Sequence, residues 1–301
     1  MFLPWITNSL NMKISMKKIF AIILITAVFL GACSTQCPLK GERQDCQTAK
    51  VAQQRKIAVQ MFTFKNYTFE ESVPWLAKNG VRGLGITAGQ YLSKKFPKLR
   101  FGPKMDAQQR KWFKDFVKQN NCWIASFGVT NPKDAKEVEE LCAFAKEMGV
   151  PLILTESRPE LLPAWEKSCQ KYGVKMAIHN HASNSGNNYY NPKIVMDMIK
   201  PYKNIGACPD NGHWSRSGID SVYGYKALSG KIFAVHIKDQ AEYGNIKNQC
   251  VPFGEGVLDM EGMLAELDRQ GFDGPFIIEY EAKWNDNLGD VLKCARYLER
   301  H

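Results

Sequence analysis

The residues from Lys56 onward predict a single (β/α)8 barrel, an α/β fold, and three observations carry that reading. Short apolar runs alternate eight times with longer amphipathic segments, the pattern of repeated strand–helix units around a parallel sheet. No glycine-rich phosphate loop follows the first strand, which argues against an open doubly wound sheet. Several strands end abruptly in ionisable side chains, and in a barrel such ends converge on one face. The clearest case is Lys231-Ile232-Phe233-Ala234-Val235-His236-Ile237-Lys238-Asp239, an apolar run that turns suddenly charged.

Strand one is expected over 57–62. Thr68 with Glu71 three residues on makes a capping box that opens a helix, and Gly80 closes it. Strand two covers 81–86, and an irregular basic and aromatic loop leads to a helix over 106–119. Strand three covers 123–129. The next helix, 134–148, is apolar at Val138, Leu141, Cys142, Ala145 and Met148 and stops at Gly149. Strand four, 151–155, ends in Glu156, and a helix over 159–171 leads to strand five, 174–178, which ends His179-Asn180-His181. A helix over 192–199 precedes strand six, 205–209, which ends Asp210-Asn211-Gly212-His213. A helix near 219–228 leads into the His236 strand. Helix seven spans 259–270, strand eight spans 275–278 and ends in Glu279 and Glu281, and a last helix covers 287–300.

The first residues read as a processing signal. Met16-Lys17-Lys18 precedes the apolar run 19–30, too short for a comfortable membrane span, and Leu30-Gly31-Ala32-Cys33 resembles a bacterial lipobox. The expected organisation is a lipoprotein signal peptide over 1–33, a polar tether over 34–54 and the barrel over 55–301. Cys33 would carry the lipid, and the membrane would be met only through that anchor, on the periplasmic side of a bacterium. No C-x-x-C pair suggests structural zinc, and Cys37 with Cys46 is the expected local disulfide in an exported chain. The net charge is +10, but the first fifty residues carry six Lys/Arg against two Asp/Glu, which leaves about +6 (10 − 4) on the rest. No basic block or helix stands out, so no nucleic acid is expected as a partner.

Four of the five histidines, 179, 181, 213 and 236, fall at or just beyond strand ends in the C-terminal half. With Glu156, Asp210, Glu279 and Glu281 they form a mixed imidazole–carboxylate set. Side chains alternate along a strand, so His179 and His181 share a face, as do His236 and Lys238, and Glu279 and Glu281. Buried carboxylates without a cation would repel one another and be costly to desolvate. The set therefore predicts one divalent metal ion, Mn²⁺, Co²⁺ or Mg²⁺, with catalytic Zn²⁺ admissible.

The run of His179-Asn180-His181, Pro209-Asp210-Asn211-Gly212-His213, Val235-His236-Ile237-Lys238-Asp239, Gly254-Glu255-Gly256 and Ile278-Glu279 resembles the xylose isomerase-like barrels, the sugar phosphate isomerases/epimerases. That group is related to the tagatose/psicose epimerases and to endonuclease IV, and the likeness covers residues 56–301. It implies a divalent metal held by carboxylate, Asp, His and carboxylate from strands five to eight. Asp210, His236 and Glu279 match three of those positions. The fourth departs: many relatives have Glu before Asn-His where this chain has His179. Either His179 ligates directly or Glu156 on the adjacent strand supplies the carboxylate. His213 and Lys238 match positions that relatives use near substrate or behind the metal ligands, and the Gly254-Glu255-Gly256 turn is read as structural.

The resemblance implies an enzyme that removes a proton beside a sugar carbonyl and stabilises the resulting enediolate. His181, His213 or Glu156 is the candidate base, with Lys238 as a further catalytic group. Export favours an unphosphorylated small carbohydrate and isomerisation or epimerisation. Elimination of the aglycone from 3-keto-glycosides is the alternative. An endonuclease IV-like nuclease is disfavoured because 81–90 and 123–131 lack the histidines of its trinuclear site. A non-catalytic sugar-binding lipoprotein is disfavoured by Asp210, His236 and Glu279. Tyr91, Phe96, Phe101 and Tyr243 are candidates for stacking on sugar, in loops 88–105 and 241–252 expected to shape the pocket. The sugar, the metal and the oligomeric state stay open at this stage.

Overall fold

The computed structural model describes residues 54–301, so the expected signal peptide, the expected lipidation site Cys33, the expected tether up to that point and the expected Cys37–Cys46 disulfide lie outside the described residues. Eight parallel strands form the barrel: β1 (Lys56–Gln60), β2 (Gly83–Ile86), β3 (Trp123–Thr130), β4 (Leu152–Thr155), β5 (Lys175–His179), β6 (Ile205–Cys208), β7 (Val235–Ile237) and, after a small hairpin of β8 (Asp239–Gln240) and β9 (Cys250–Val251), β10 (Pro275–Ile278). The sheet runs β6-β5-β4-β3-β2-β1-β10-β7. It closes between β6 and β7 through bridges from Ala207 to Ile232 and from Asp210 to His236. The amide of His236 donates to the carbonyl of Pro209 at 2.9 Å there.

The outer helices are α1 (Phe69–Lys78), α2 (Ala107–Gln119), α3 (Ala135–Met148), α4 (Leu162–Tyr172), α5 (Pro192–Ile199), α6 (Asn211–Arg216), α7 (Ser221–Ala227), α8 (Met260–Arg269) and α9 (Leu288–Arg300). The Thr68/Glu71 capping box is formed in both directions, and Gly149 ends α3 with φ of 71°, the left-handed geometry glycine supplies without strain. None of the described helices is long and apolar enough to cross a membrane.

Several expected boundaries move. The first strand stops at Gln60 and turns into a 3₁₀ segment, Met61–Phe64. The fourth helix opens with 3₁₀ geometry at Pro159–Leu161, since Pro159 cannot donate. Of the His236 run, only Val235–Ile237 joins the barrel sheet as a strand, and Asp239 opens the β8–β9 hairpin. The helix α6 and the β8–β9 hairpin were not expected at all.

Period-two alternation sorts the core into two layers. Met176, Ile178, Ile205, Ala207, Val235, Ile237, Phe276 and Ile278 pack outward under the helices. Ala58, Leu154, Ala177, Cys208, Ala234 and Ile277 fill the barrel interior. Two residues beyond each inward group, on the same face, stand Gln60, Glu156, His179, Asp210, His236 and Glu279. The layer above the hydrophobic plug is therefore the polar layer at the strand ends.

Candidate active site

One donor atom from each of His179, Asp210, His236 and Glu279 lies within 4.8 Å of the others, and all four residues are buried. His236 Nδ1 is 3.0 Å from Glu279 Oε2 and 3.7 Å from Asp210 Oδ2. His179 Nε2 is 3.6 Å from the same Asp210 oxygen. Lys238 Nζ stands 3.0 Å from each of Asp210 Oδ2, Glu279 Oε2 and Glu281 Oε2. Beyond it, Arg216 Nη1 donates to Glu281 Oε2 at 3.0 Å and lies 3.4 Å from His213 Nδ1.

These residues suit a divalent cation. His179 Nε2, Asp210 Oδ2 and His236 Nε2 are buried without a hydrogen-bond partner, although such atoms are ordinarily satisfied. Lys238 approaches Asp210 Oδ2 as an ion pair and not in hydrogen-bonding geometry. Around the cluster, the four carboxylates Glu156, Asp210, Glu279 and Glu281 face two permanent cations, Lys238 and Arg216. A deficit of two charges matches a dication.

The electrostatics tell the same story. Burial works against the charged forms throughout, yet Lys238 and the surrounding histidines hold Asp210 well below the usual carboxylate range. Burial likewise opposes the ionised Glu279, and Lys238 and His236 outweigh it to keep its carboxyl low. Burial opposes protonation of His236, but Glu279 and Asp210 push it up to about 9. Without a metal, protons and Lys238 supply the positive charge that the cluster demands. His213 behaves oppositely: burial, reinforced by Lys238 and the neighbouring imidazoles, outweighs Asp210 and holds it well below the ordinary histidine range, so it stays neutral.

The local sequence explains how each group is aimed. Asp210 Oδ1 accepts the His213 amide at 2.9 Å and so caps α6, leaving Oδ2 for the cluster. Two buried asparagines that the sequence reading passed over lock the strand ends together. Asn180 donates to the Asp210 carbonyl at 3.1 Å and accepts from the Asp210 amide at 2.9 Å. Asn211 donates to the Lys238 carbonyl at 2.7 Å and accepts from the Lys238 amide at 2.8 Å. The available signal was their position directly after His179 and Asp210, where an amide can satisfy both peptide groups of the next strand.

Glu156 sits beside the cluster. Its Oε1 faces His179 Nδ1 at 3.4 Å and contacts His181 Nδ1, while Asn187 Nδ2 donates to its Oε2 at 3.0 Å. Burial raises its carboxyl, but His179 and His181 together bring it down to about 2. The structure thus gathers every expected ionisable residue at one mouth, with His179 inside the four-residue group and Glu156 beside it.

The aromatic expectations fare less well. Phe101 is core, packed on Phe113, Phe127 and Phe144, and Phe96 packs edge-on to Trp112. An apolar ring in a loop finds its own barrel before it finds solvent. Tyr91 and Tyr243 do stay exposed, Tyr91 with the Arg100 guanidinium 4.2 Å from its centroid. The Gly254-Glu255-Gly256 turn is structural as expected. Its glycine amides donate to Asp239 Oδ2 at 2.9 and 3.0 Å, and a Cβ on Gly256 would fall 2.2 Å from Asp239 Oδ1.

Closed strands, inward ionisable ends and a buried imidazole–carboxylate group define a barrel whose C-terminal mouth gathers residues that could hold a metal. Residues 73–299 match the sequence profile of the xylose isomerase-like TIM barrel, and the chain belongs to that family. The L-ribulose-5-phosphate 3-epimerase of Salmonella paratyphi C is 42% identical over 88 residues, 29% of this chain and 30% of that protein. The match thus spans under a third of that curated relative's length. Among solved structures, an uncharacterised protein of Parabacteroides distasonis aligns with a TM-score of 0.67 at 25% identity over 82% of this chain and 98% of its own. A D-tagatose 3-epimerase-like protein aligns with a TM-score of 0.64 at 17% identity, covering 81% and 96% of the two chains, a likeness of fold.

Proposed function

We propose that this chain is a divalent-metal-dependent sugar isomerase or epimerase that removes a proton beside the carbonyl of an unphosphorylated small carbohydrate. The observation that carries the reading is the buried group His179, Asp210, His236 and Glu279, within which His179 Nε2, Asp210 Oδ2 and His236 Nε2 have no hydrogen-bond partner. The similarity to L-ribulose-5-phosphate 3-epimerases and tagatose epimerase-like folds supports the class of reaction. The sequence's export signal supports an unphosphorylated substrate and a periplasmic protein held to the membrane through Cys33.

His179, Asp210, His236 and Glu279 would hold the ion, which when bound supplies the positive charge that stabilises the anion left by proton loss. Lys238, pinned among Asp210, Glu279 and Glu281, turns its ammonium to those three carboxylates, fixing them and placing a buried positive charge beneath the site. His181, partly open at the mouth, and the neutral His213 have ring centroids 4.5 Å apart. One can take the carbon-bound proton while the other returns one. Glu156 orients His181 and accepts its charge. The same pair could serve elimination from 3-keto-glycosides, one imidazole as base and the other as acid for the aglycone oxygen.

The test is to assay purified protein, before and after chelator treatment, with free pentoses, hexoses, their phosphates and 3-keto-glycosides in D₂O. Deuterium appearing beside the carbonyl of a free sugar, lost on chelation and restored by Mn²⁺ or Co²⁺, is expected. Exchange only with sugar phosphates would overturn the substrate assignment, and release of aglycone would replace isomerisation with elimination. Exchange unaffected by metal removal would overturn metal dependence.

A further inference from the structure

We infer that the chain holds a second divalent cation between Glu156, His179 and His181, beside the first and sharing His179 with it. This rests on the metal site proposed above. One donor atom from each of the three residues lies within 4.8 Å of the others, a second grouping distinct from the buried one. Its residues come from the ends of β4 and β5, so the barrel itself fixes them.

His179 is the informative residue. Its Nε2 faces Asp210 Oδ2 at 3.6 Å and its Nδ1 faces Glu156 Oε1 at 3.4 Å. Both gaps exceed the ~2.9 Å of an ordinary N–H···O bond. The Nδ1 gap falls within the roughly 3.0–3.5 Å that separates two donors each ~2.1 Å from one cation at octahedral-to-tetrahedral angles, and the Nε2 gap lies just above it. Both ring nitrogens are thus spaced from a carboxylate as if an ion belonged between. To serve two cations the imidazole releases its remaining N–H proton to solvent.

Glu156 is prepared in the way ligands are prepared. Asn187 holds its Oε2 at 3.0 Å, which turns Oε1 toward the two imidazoles. A carboxylate that only oriented one histidine would need neither the second imidazole nor that anchor. The His181 side chain is 43% exposed, so a cation there keeps open positions for water or substrate oxygens, the mark of a catalytic site. Two imidazoles with a single carboxylate favour Zn²⁺ or Co²⁺ over Mg²⁺. The first dication already cancels the local charge deficit, so the second binds more weakly. Ligation also occupies the His181 nitrogen, so the His181/His213 proton exchange described above belongs to the single-ion form, and with the second cation bound His213 alone serves as base.

The experiment is metal binding to untagged, metal-stripped protein carrying His301→Ala to remove the terminal imidazole. Co²⁺ is titrated by calorimetry, and stoichiometry is read independently by equilibrium dialysis and elemental analysis. Two equivalents are expected, the second with a Kd at least about tenfold weaker. His181→Ala and Glu156→Gln should each bind one, with circular dichroism unchanged. One equivalent in the parent, retained by both variants, overturns this inference and leaves the single-ion reading standing. No bound ion overturns both. Two equivalents in the parent and in both variants place the second ion elsewhere and overturn the inference.

Discussion

The two arcs of the barrel mouth are built from the same geometry and filled with different chemistry. From β4 round through β5, β6 and β7 to β10, the inward residue past each strand is Glu156, His179, Asp210, His236 and Glu279 in turn. On the arc of β1 and β2 the corresponding positions are Gln60 and Gly85, and a Cβ on Gly85 would come within 3.2 Å of Ile277 and 3.3 Å of Gln60. Alternation selects which residues face inward, and it treats both arcs alike. Chemistry is therefore a decision of sequence at positions the fold has already aimed. One arc concentrates charge, and the other stays close-packed and uncharged.

Substitutions on the two arcs should consequently separate catalysis from folding. Asp210→Asn is expected to have the largest effect. An amide oxygen can still cap α6, but the anionic donor is gone, so kcat/KM should fall by roughly 10³-fold or more, as when one member of a concerted unit is lost. Tm should also fall by several degrees, because the buried Lys238 and His236 lose an anionic partner, with the protein still folded at the assay temperature. A loss of activity that only tracked the unfolded fraction would mean that Asp210 matters mainly for folding. Asp239→Ala, below the charged arc, should act on stability instead. It frees the amides of Gln240, Gly254, Gly256 and Leu258 from a common acceptor, at a cost of about 3 kcal/mol in denaturant unfolding. Unchanged stability would show that water replaces the carboxylate.

Asn180→Ala tests how the charged arc is held in register. Metal affinity should weaken by about 10–100-fold, the range for residues that orient ligands, while the barrel stays folded. Smallest of all is Gln60→Leu on the quiet arc. The Gln60 amide oxygen is buried without a partner and its Nε2 reaches only the Gly128 carbonyl at 3.4 Å. Activity within about threefold of the parent and stability within about 1 kcal/mol are expected. A large loss of kcat/KM there would show that the quiet arc grips substrate, and the division between arcs would fail.

Most of the barrel was legible because its signals are local. The strand at Pro275–Ile278 and the helix at Pro192–Ile199 fall where apolar patterning and Pro at N1 put them. The capped helices at Thr68 and Asp134 start as their side chains dictate. What escaped was short or nonlocal. At six residues, α6 has too few turns to show a period, and the Asp210 that caps it reads equally well as a ligand. The β8–β9 hairpin has two residues per strand and depends on Asp239 collecting amides up to 19 positions away. The positions facing the site followed from alternation, but the asparagine clamps needed the spacing between neighbouring strands, which no single strand encodes.

Because Asp239 shuts the turn at 254–258, the segment 241–249 leaves the barrel from a fixed base, and two backbone contacts seat it on α6. The Gly244 amide donates to the Ser215 carbonyl at 2.9 Å, and Arg216, which also holds Glu281, donates to the Asn248 carbonyl at 3.2 Å. The exposed side chains beside those contacts, Tyr243 and Ile246, can be recoded while the loop stays seated. They are the positions to diversify when the aim is to change what the mouth admits and not the chemistry beneath it.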